Sequence, residues 1–209
     1  MKSKGQGPPE NPSHDGRDGA GGQKNGQPAA EGPRVKRICA LLYRDHTALL
    51  PGLAALTAVF GPIDYLGGPN PFTLTGYYQQ EMGGGLQKRL VAFARLSPPE
   101  DLVWAKLQTN ALEALFSQEG KRFLNLDPGY LDSFKLVLAS NKGRDNKMHL
   151  GAGVWADLQL VWQKSGYMPL AWTFPDYASG LYGEDLKAIK ARFRGQIRAC
   201  PPGDEEGRG

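Results

Sequence analysis

Two hydrophobic periods alternate along this chain, and the switches between them lay out a succession of strands and helices. Residues 35–43 carry an apolar centre, Ile38-Cys39-Ala40-Leu41-Leu42, which predicts a first strand. Residues 47–60 place Leu49, Leu53, Leu56 and Phe60 at helical spacing, and Gly61-Pro62 supplies the stop. Pro51 fits that helix only in its first turn. A Thr- and aromatic-rich run, 72–78, predicts a second strand. After the Gly83-Gly84-Gly85 turn, residues 89–96 alternate as a third, with Leu90, Ala92, Ala94 and Leu96 on one side. Ser97-Pro98-Pro99-Glu100 has the capping-box pattern of a second long helix reaching about Gln118, with Val103, Leu107, Ala111 and Leu115 as its buried stripe.

Residues 123–126 predict a fourth strand, and Asp127-Pro128-Gly129-Tyr130 a type II turn after it. Strands follow at 134–140 and 154–162, the latter with Val154, Ala156, Leu158, Leu160 and Trp162 on one face and Asp157 and Gln159 on the other. A hairpin loop at Lys164-Ser165-Gly166 leads into a strand at 167–172, and a closing helix over 184–198 buries Leu186, Ile189, Phe193 and Ile197. This order predicts an α+β fold. It starts as a ferredoxin-like βαββαβ unit and is extended by further antiparallel strands and a C-terminal helix, with the helices on one face of the sheet.

Composition sets the boundaries. Residues 1–34 are rich in Gly, Pro, Asn, Gln and Asp, with Met1 and alanines as the only apolar residues. Such a segment buries too little surface to offset backbone entropy of roughly 1–2 kcal/mol per ordered residue. The expectation is therefore a disordered tail over 1–34, a single globular domain over 35–199 and a second disordered tail over 200–209. The N-terminal stretch has no apolar core of a signal peptide, and no run nears the roughly 20 apolar residues of a membrane span. No membrane association and a cytoplasmic location are expected. Cys39 and Cys200 make neither a disulfide framework nor a metal-ligand pair. The formal net charge of +4 is spread thinly, and only the last helix concentrates its cations.

Candidate chemistry falls into two groups. Asp127, His149, Asp157 and Asp176 supply carboxylates and an imidazole at strand ends and turns, suited to general acid–base work or to holding a metal. Asp127 and Asp176 stand beside prolines, so a structural role in turns is the competing reading. No HxxxH, HxH or CxxC spacing calls for a metal. Tyr77, Tyr78, Glu81, Lys88 and Arg89 form the second group, with donors for an anionic ligand; a hairpin with solvated charges is the alternative. Asn141-Lys142-Gly143-Arg144-Asp145 looks like a guanine-reading element with its aspartate one residue late, and no phosphate loop accompanies it.

Several motifs in fixed order carry a family resemblance. They are Phe60-Gly61-Pro62-Ile63-Asp64, the run from Thr75 to Gly83, Thr109-Asn110 with Leu112-Glu113, and the run from Asn125 to Leu131. Lys135 to Ala139, His149-Leu150-Gly151 and Trp172 to Tyr177 follow. On these the chain resembles the domain of unknown function 4416 over residues 37–198. The resemblance implies a prokaryotic origin and a single domain, and no reaction or cofactor. The chain departs from the family pattern at Ala152, where an acidic residue is expected, and at Asp157, where glutamate is. Two functional readings follow. One is a small anionic or metal-linked ligand held in a polar pocket at strand ends that carry Asp127, His149 and Asp176. The other is a non-catalytic protein contacting RNA or a protein partner through the basic last helix and the aromatics Trp155, Trp162, Trp172 and Tyr177; nucleic acid is the lesser of its partners.

Overall fold

The computed structural model describes residues 32–199, apart from Thr75, Asp145, Ser165 and the side chain of Gln80. The expected tails, 1–34 and 200–209, fall outside the described residues except for 32–34. So does Cys200; Cys39 is a free, buried thiol.

β1 (Val35–Tyr43) is buried along its whole length. Asp45 caps α1 (His46–Phe60) by accepting the Thr47 amide at 3.1 Å, and Gly61 ends it at φ 87°. Pro51 lies in the second turn of α1, beyond the position expected for it. The chain continues through β2 (Ile63–Leu66), β3 (Asn70–Pro71), the short α2 (Gln79–Met82) and the long β4 (Gln87–Ser97). A 3-10 turn, Pro99–Asp101, opens α3 (Leu102–Leu115) without the side-chain cap that its sequence suggested. A small hairpin, β5 (Ser117–Gln118) and β6 (Lys121–Arg122), leads to β7 (Leu124–Leu131) and β8 (Lys135–Ser140). β9 (Met148–Gly151), β10 (Val154–Gln163) and β11 (Gly166–Pro169) follow, then α4 (Pro175–Ala178) and α5 (Gly183–Ala199).

The main sheet runs β11-β10-β8-β7-β1-β4-β2, with β3 on β4 and β9 on β10, and its pairings are antiparallel. An α+β architecture with a large antiparallel sheet is therefore present. The helices do not share one face. Cys39, Leu41 and Tyr43 of β1 pack with Leu49, Leu56 and Phe60 of α1 and Ala105 and Leu112 of α3. Ile38 and Ala40 point the other way, against Tyr177 of α4 and Leu186, Ile189 and Phe193 of α5. Successive strand residues alternate faces, so a strand buried at every position needs cover on both sides. Among the described residues no helix is long and apolar enough to cross a membrane.

Five further expectations are corrected. The described residues of the aromatic run 72–78 form no strand, and β2 and β3 take the edge of β4 instead. Asp127-Pro128-Gly129 is no turn: β7 passes straight through it, pairing Ala40 with Asp127 and Cys39 with Pro128. α3 buries Leu102, Ala105, Lys106, Thr109, Leu112 and Glu113, whereas Leu107 and Leu115 are exposed. β10 slips register between Leu158 and Leu160. That bulge sends Val154, Ala156 and Leu158 toward α3 and Leu160 toward α5, splitting the single face expected for them. β11 stops at Pro169, so Trp172 lies beyond it.

Candidate functional site

The sheet parts between β7 and β8. Their pairing covers only Gly129 to Leu131, while β7 stays paired with β1 back to Leu124 and β8 stays paired with β10 out to Ser140. Pro128 explains where the parting begins. Backbone groups on a strand point alternately to its two sides, and Pro128 shares the parity of Leu126, whose amide and carbonyl face the open edge. The missing N–H of the proline therefore falls on the unpaired side, where a strand tolerates it. Gly129, just beyond, admits β8 closely: a Cβ there would meet Val137 O at 2.4 Å.

Side chains of α3 occupy the opening. The Glu113 carboxylate accepts the Leu126 amide at 2.6 Å, and the Lys106 ammonium donates to Leu126 O at 3.3 Å and sits 3.4 Å from Asp127. Burial raises the pKa of Glu113, with Lys106 acting against it. Asn125 donates to Asp127 at 2.8 Å and accepts from Arg122 at 3.0 Å. Arg122 also grips Glu113 at 2.6 Å and Glu81 through two bonds of 2.5 and 2.8 Å. That grip holds the Glu81 pKa below its usual range.

On the opposite face α4 closes over the same region. Its Asp176 takes the Lys88 ammonium at 2.6 Å and the Tyr182 hydroxyl at 3.0 Å, both carboxylate and ammonium nearly buried. Asp176 is thus no turn residue bonded to its own amides. Phe174, ahead of α4, donates its amide to the Gln159 carboxamide at 2.9 Å, and its ring lies 5.6 Å from the Lys147 ammonium. Lys147 in turn stands 2.8 Å from Asp157, which is also buried. Tyr177 is buried among these groups, and its pKa is pushed well up by burial and then by Asp176, Tyr182 and Asp127.

Among the described residues four buried side-chain polar atoms have no hydrogen-bond partner: Asp64 Oδ1, Asp157 Oδ2, Gln159 Nε2 and the Tyr177 hydroxyl. The last three belong to the layer under α4. Asp157 Oδ2 has the Lys147 charge beside it without an aligned donor. A small cavity of about 110 Å³ opens beside Tyr177 and Tyr182.

The two sequence-derived groups separate in space. Asp127 and Asp176 both act electrostatically on Tyr177. His149 does not join them: it is exposed on β9, its ring tilted against Trp155 at 4.8 Å between ring centres. β9 lies three strand spacings from β7, about 14 Å at about 4.8 Å each. Lys88 and Arg89, as strand neighbours, face opposite sides of the sheet. Arg89 bonds the Tyr43 hydroxyl at 2.9 Å and Gly67 O at 3.1 Å. Tyr77 is exposed beside Lys142, and Tyr78 is half-buried with its pKa raised by burial and then by Asp127. Among the described residues no three His, Cys, Asp or Glu side chains stand as a metal-ligand set.

Among the cations of α5, Lys190 is buried, whereas Lys187, Arg192, Arg194 and Arg198 are exposed. Lys190 is buried 3.1 Å from the Trp162 ring centre and donates to Ser133 O at 2.7 Å; burial, and then Arg194, lowers its pKa to about 8. Arg192 lies over Tyr65 and Arg194 over Trp162. Trp172 donates its indole N–H to Leu158 O at 2.8 Å. Ala152, where the family pattern called for an acid, sits at φ 49° in the β9–β10 turn, a conformation that Asp and Asn tolerate better than most residues.

Lys106, Arg122 and Lys147 were not singled out from the sequence, and Glu113 and Gln159 were named only as a motif residue and as part of a strand face. The one available signal was Lys106 and Glu113 interrupting the stripe Leu102, Ala105, Thr109, Leu112 at helical spacing. No curated protein and no solved structure matches the chain. A family model described as a domain of unknown function (DUF4416) matches residues 33–193, and the protein belongs to that family.

Proposed function

We propose that this protein binds a small polar ligand where β7 and β8 part beneath α4, with Asp127 and the Tyr177 hydroxyl as contacts. The observation that carries the reading is the set of buried, unpartnered polar atoms under α4, above all Tyr177 OH and Gln159 Nε2. Leaving a buried donor or acceptor unmade costs roughly 1–3 kcal/mol each, a cost that a ligand able to pair with them repays. Three lysine–aspartate pairs in the same layer, Lys88–Asp176, Lys106–Asp127 and Lys147–Asp157, support it. Pairs of this kind gain little stability over apolar replacements and so invite a functional explanation.

Charge and size narrow the ligand. The ammonium groups of those pairs already face carboxylates, so a free anion finds its cations engaged, and an uncharged polar molecule fits better. Asp127 lies two strand spacings from Asp157 and two residues out of register with it, about 12 Å in all, which suits a molecule several ångström long rather than a metal ion with bonds of about 2 Å. For the scaffold, the order β7-β1-β4-β2, with α1 and α3 as connections, supports a ferredoxin-like unit as the part of the fold that carries the site.

The test is a thermal-shift panel of sugars, polyols, nucleosides and amides against wild type, Asp127→Asn and Tyr177→Phe. Tyr177→Phe discards an unpaired hydroxyl, so it should fold at least as stably as wild type and lose the ligand-induced shift, as should Asp127→Asn. A shift that survives in both variants, or no shift in wild type, overturns the reading.

A further inference from the structure

Residues 67–86 join β2 to β4, with β3 and α2 as the regular structure among the described residues, and connections this long inside a compact domain are usually functional. The part that carries α2 is bounded by glycines, Gly76 before it and Gly83, Gly84 and Gly85 after it. Gly83 and Gly85 hold φ of 83° and 73°, which side-chain-bearing residues rarely adopt. Between these glycines stand Tyr77, Tyr78 and Glu81. Their partners lie on the two banks of the opening. Glu81 is bound by Arg122 of β6, immediately before β7, through two bonds of 2.5 and 2.8 Å. Tyr77 meets Lys142, just past the end of β8, both at its hydroxyl and with the ammonium 4.4 Å from its ring centre. Tyr78 stands against Tyr77 at 4.9 Å and lies 6.0 Å from the Arg122 guanidinium.

We propose that residues 76–85 are a strap that covers the Asp127 opening and is latched across it by the Arg122–Glu81 and Lys142–Tyr77 contacts. The inference rests on the ligand-site reading above and adds how that site is reached. The latch is wired to the site itself. Arg122, besides holding Glu81, donates to Asn125 and Glu113, and Asn125 donates to Asp127. A ligand that takes Asn125 or Asp127 as its partner competes with the bonds that orient Arg122, so occupancy and strap position are coupled through one guanidinium. The Glu81 and Arg122 side chains are 30% and 26% exposed, so their pair is strong enough to hold a strap and weak enough to open locally.

The experiment uses the full chain without ligand and reads two things. Hydrogen exchange is followed by mass spectrometry in wild type, Glu81→Gln and Lys142→Gln, and carboxyl labelling by a water-soluble carbodiimide with glycine ethyl ester is followed at Asp127. Each variant should speed exchange of amides in 76–85 roughly five- to tenfold, with β4 and β7 amides unchanged. Asp127 labelling should rise severalfold while labelling of the exposed Glu184 stays constant. Unchanged exchange in 76–85, acceleration spread evenly over the whole chain, or a faster strap with unchanged Asp127 labelling would each overturn the proposal. Because no ligand is used, failure here leaves the ligand reading standing, and failure of the thermal-shift test leaves the strap standing.

Discussion

Asp176→Asn probes the pair that fastens α4 to the sheet. The Lys88 ammonium lies 2.6 Å from the Asp176 carboxylate, with the side chains only 7% and 6% exposed, so water does little to screen the loss of one charge. Breaking a buried pair from one side costs about 3–5 kcal/mol, because the other charge stays behind unpaired. Two features of this site soften that figure. Asparagine keeps an oxygen for the Tyr182 hydroxyl, now 3.0 Å away, and the ammonium lies 5.1, 4.9 and 5.8 Å from the ring centres of Phe72, Tyr177 and Tyr182. Cation–π contact returns about 1 kcal/mol. The expected loss is therefore about 2–4 kcal/mol, larger than the roughly 0.5–2 kcal/mol of a lost helix cap. The double variant Lys88→Met/Asp176→Leu leaves no orphaned charge and should come within about 1 kcal/mol of wild type. Equilibrium urea unfolding of wild type, Lys88→Met, Asp176→Leu and the double variant closes the cycle, with Asp176→Asn measured beside them, provided the slope with denaturant stays constant. A loss under about 1 kcal/mol for Asp176→Asn, or a double variant as unstable as the sum of the singles, would refute the reasoning.

Two other perturbations read different parts of the site. Gly129→Ala places a methyl 2.4 Å from Val137 O and 2.7 Å from Leu138 Cδ2, and the backbone oxygen cannot step aside without breaking the β7–β8 pairing. Urea unfolding should show a loss of about 2–3 kcal/mol, whereas a near-neutral result would mean that β8 is not held where the register puts it. Glu81, its pKa lowered by Arg122, contributes stability that is present above the ordinary glutamate value of about 4.3 and is lost as pH falls through its depressed value. The melting-temperature gap between wild type and Glu81→Gln should therefore narrow as pH falls from about 6 to about 3. Glu113, whose pKa is raised, acts in the opposite sense and is common to both proteins; a gap that widens toward acid would contradict the Arg122 latch.

Much of the scaffold is legible along the chain because apolar runs and helical stripes are local properties. The first strand, the helix ended by Gly61-Pro62, the strand through Leu90 and Ala92, and the last helix with Leu186, Ile189 and Phe193 inside were all readable from spacing alone. The motifs that carry the family resemblance are equally a matter of residues in order. What tertiary structure decided is where polar groups are buried. Asp127-Pro128-Gly129 reads as a turn, and becomes mid-strand because β1 pairs along its whole length while the proline faces an edge with no partner. The stripe of α3 reads as Val103, Leu107, Ala111 and Leu115, and is rotated to bury Lys106 and Glu113, whose charges are met by Asp127, Arg122 and the Leu126 backbone. A pattern argument assigns a charged residue to solvent because leaving water is costly. That cost is lifted only by partners from distant segments, and their arrival is a property of the folded sheet and not of any window of sequence.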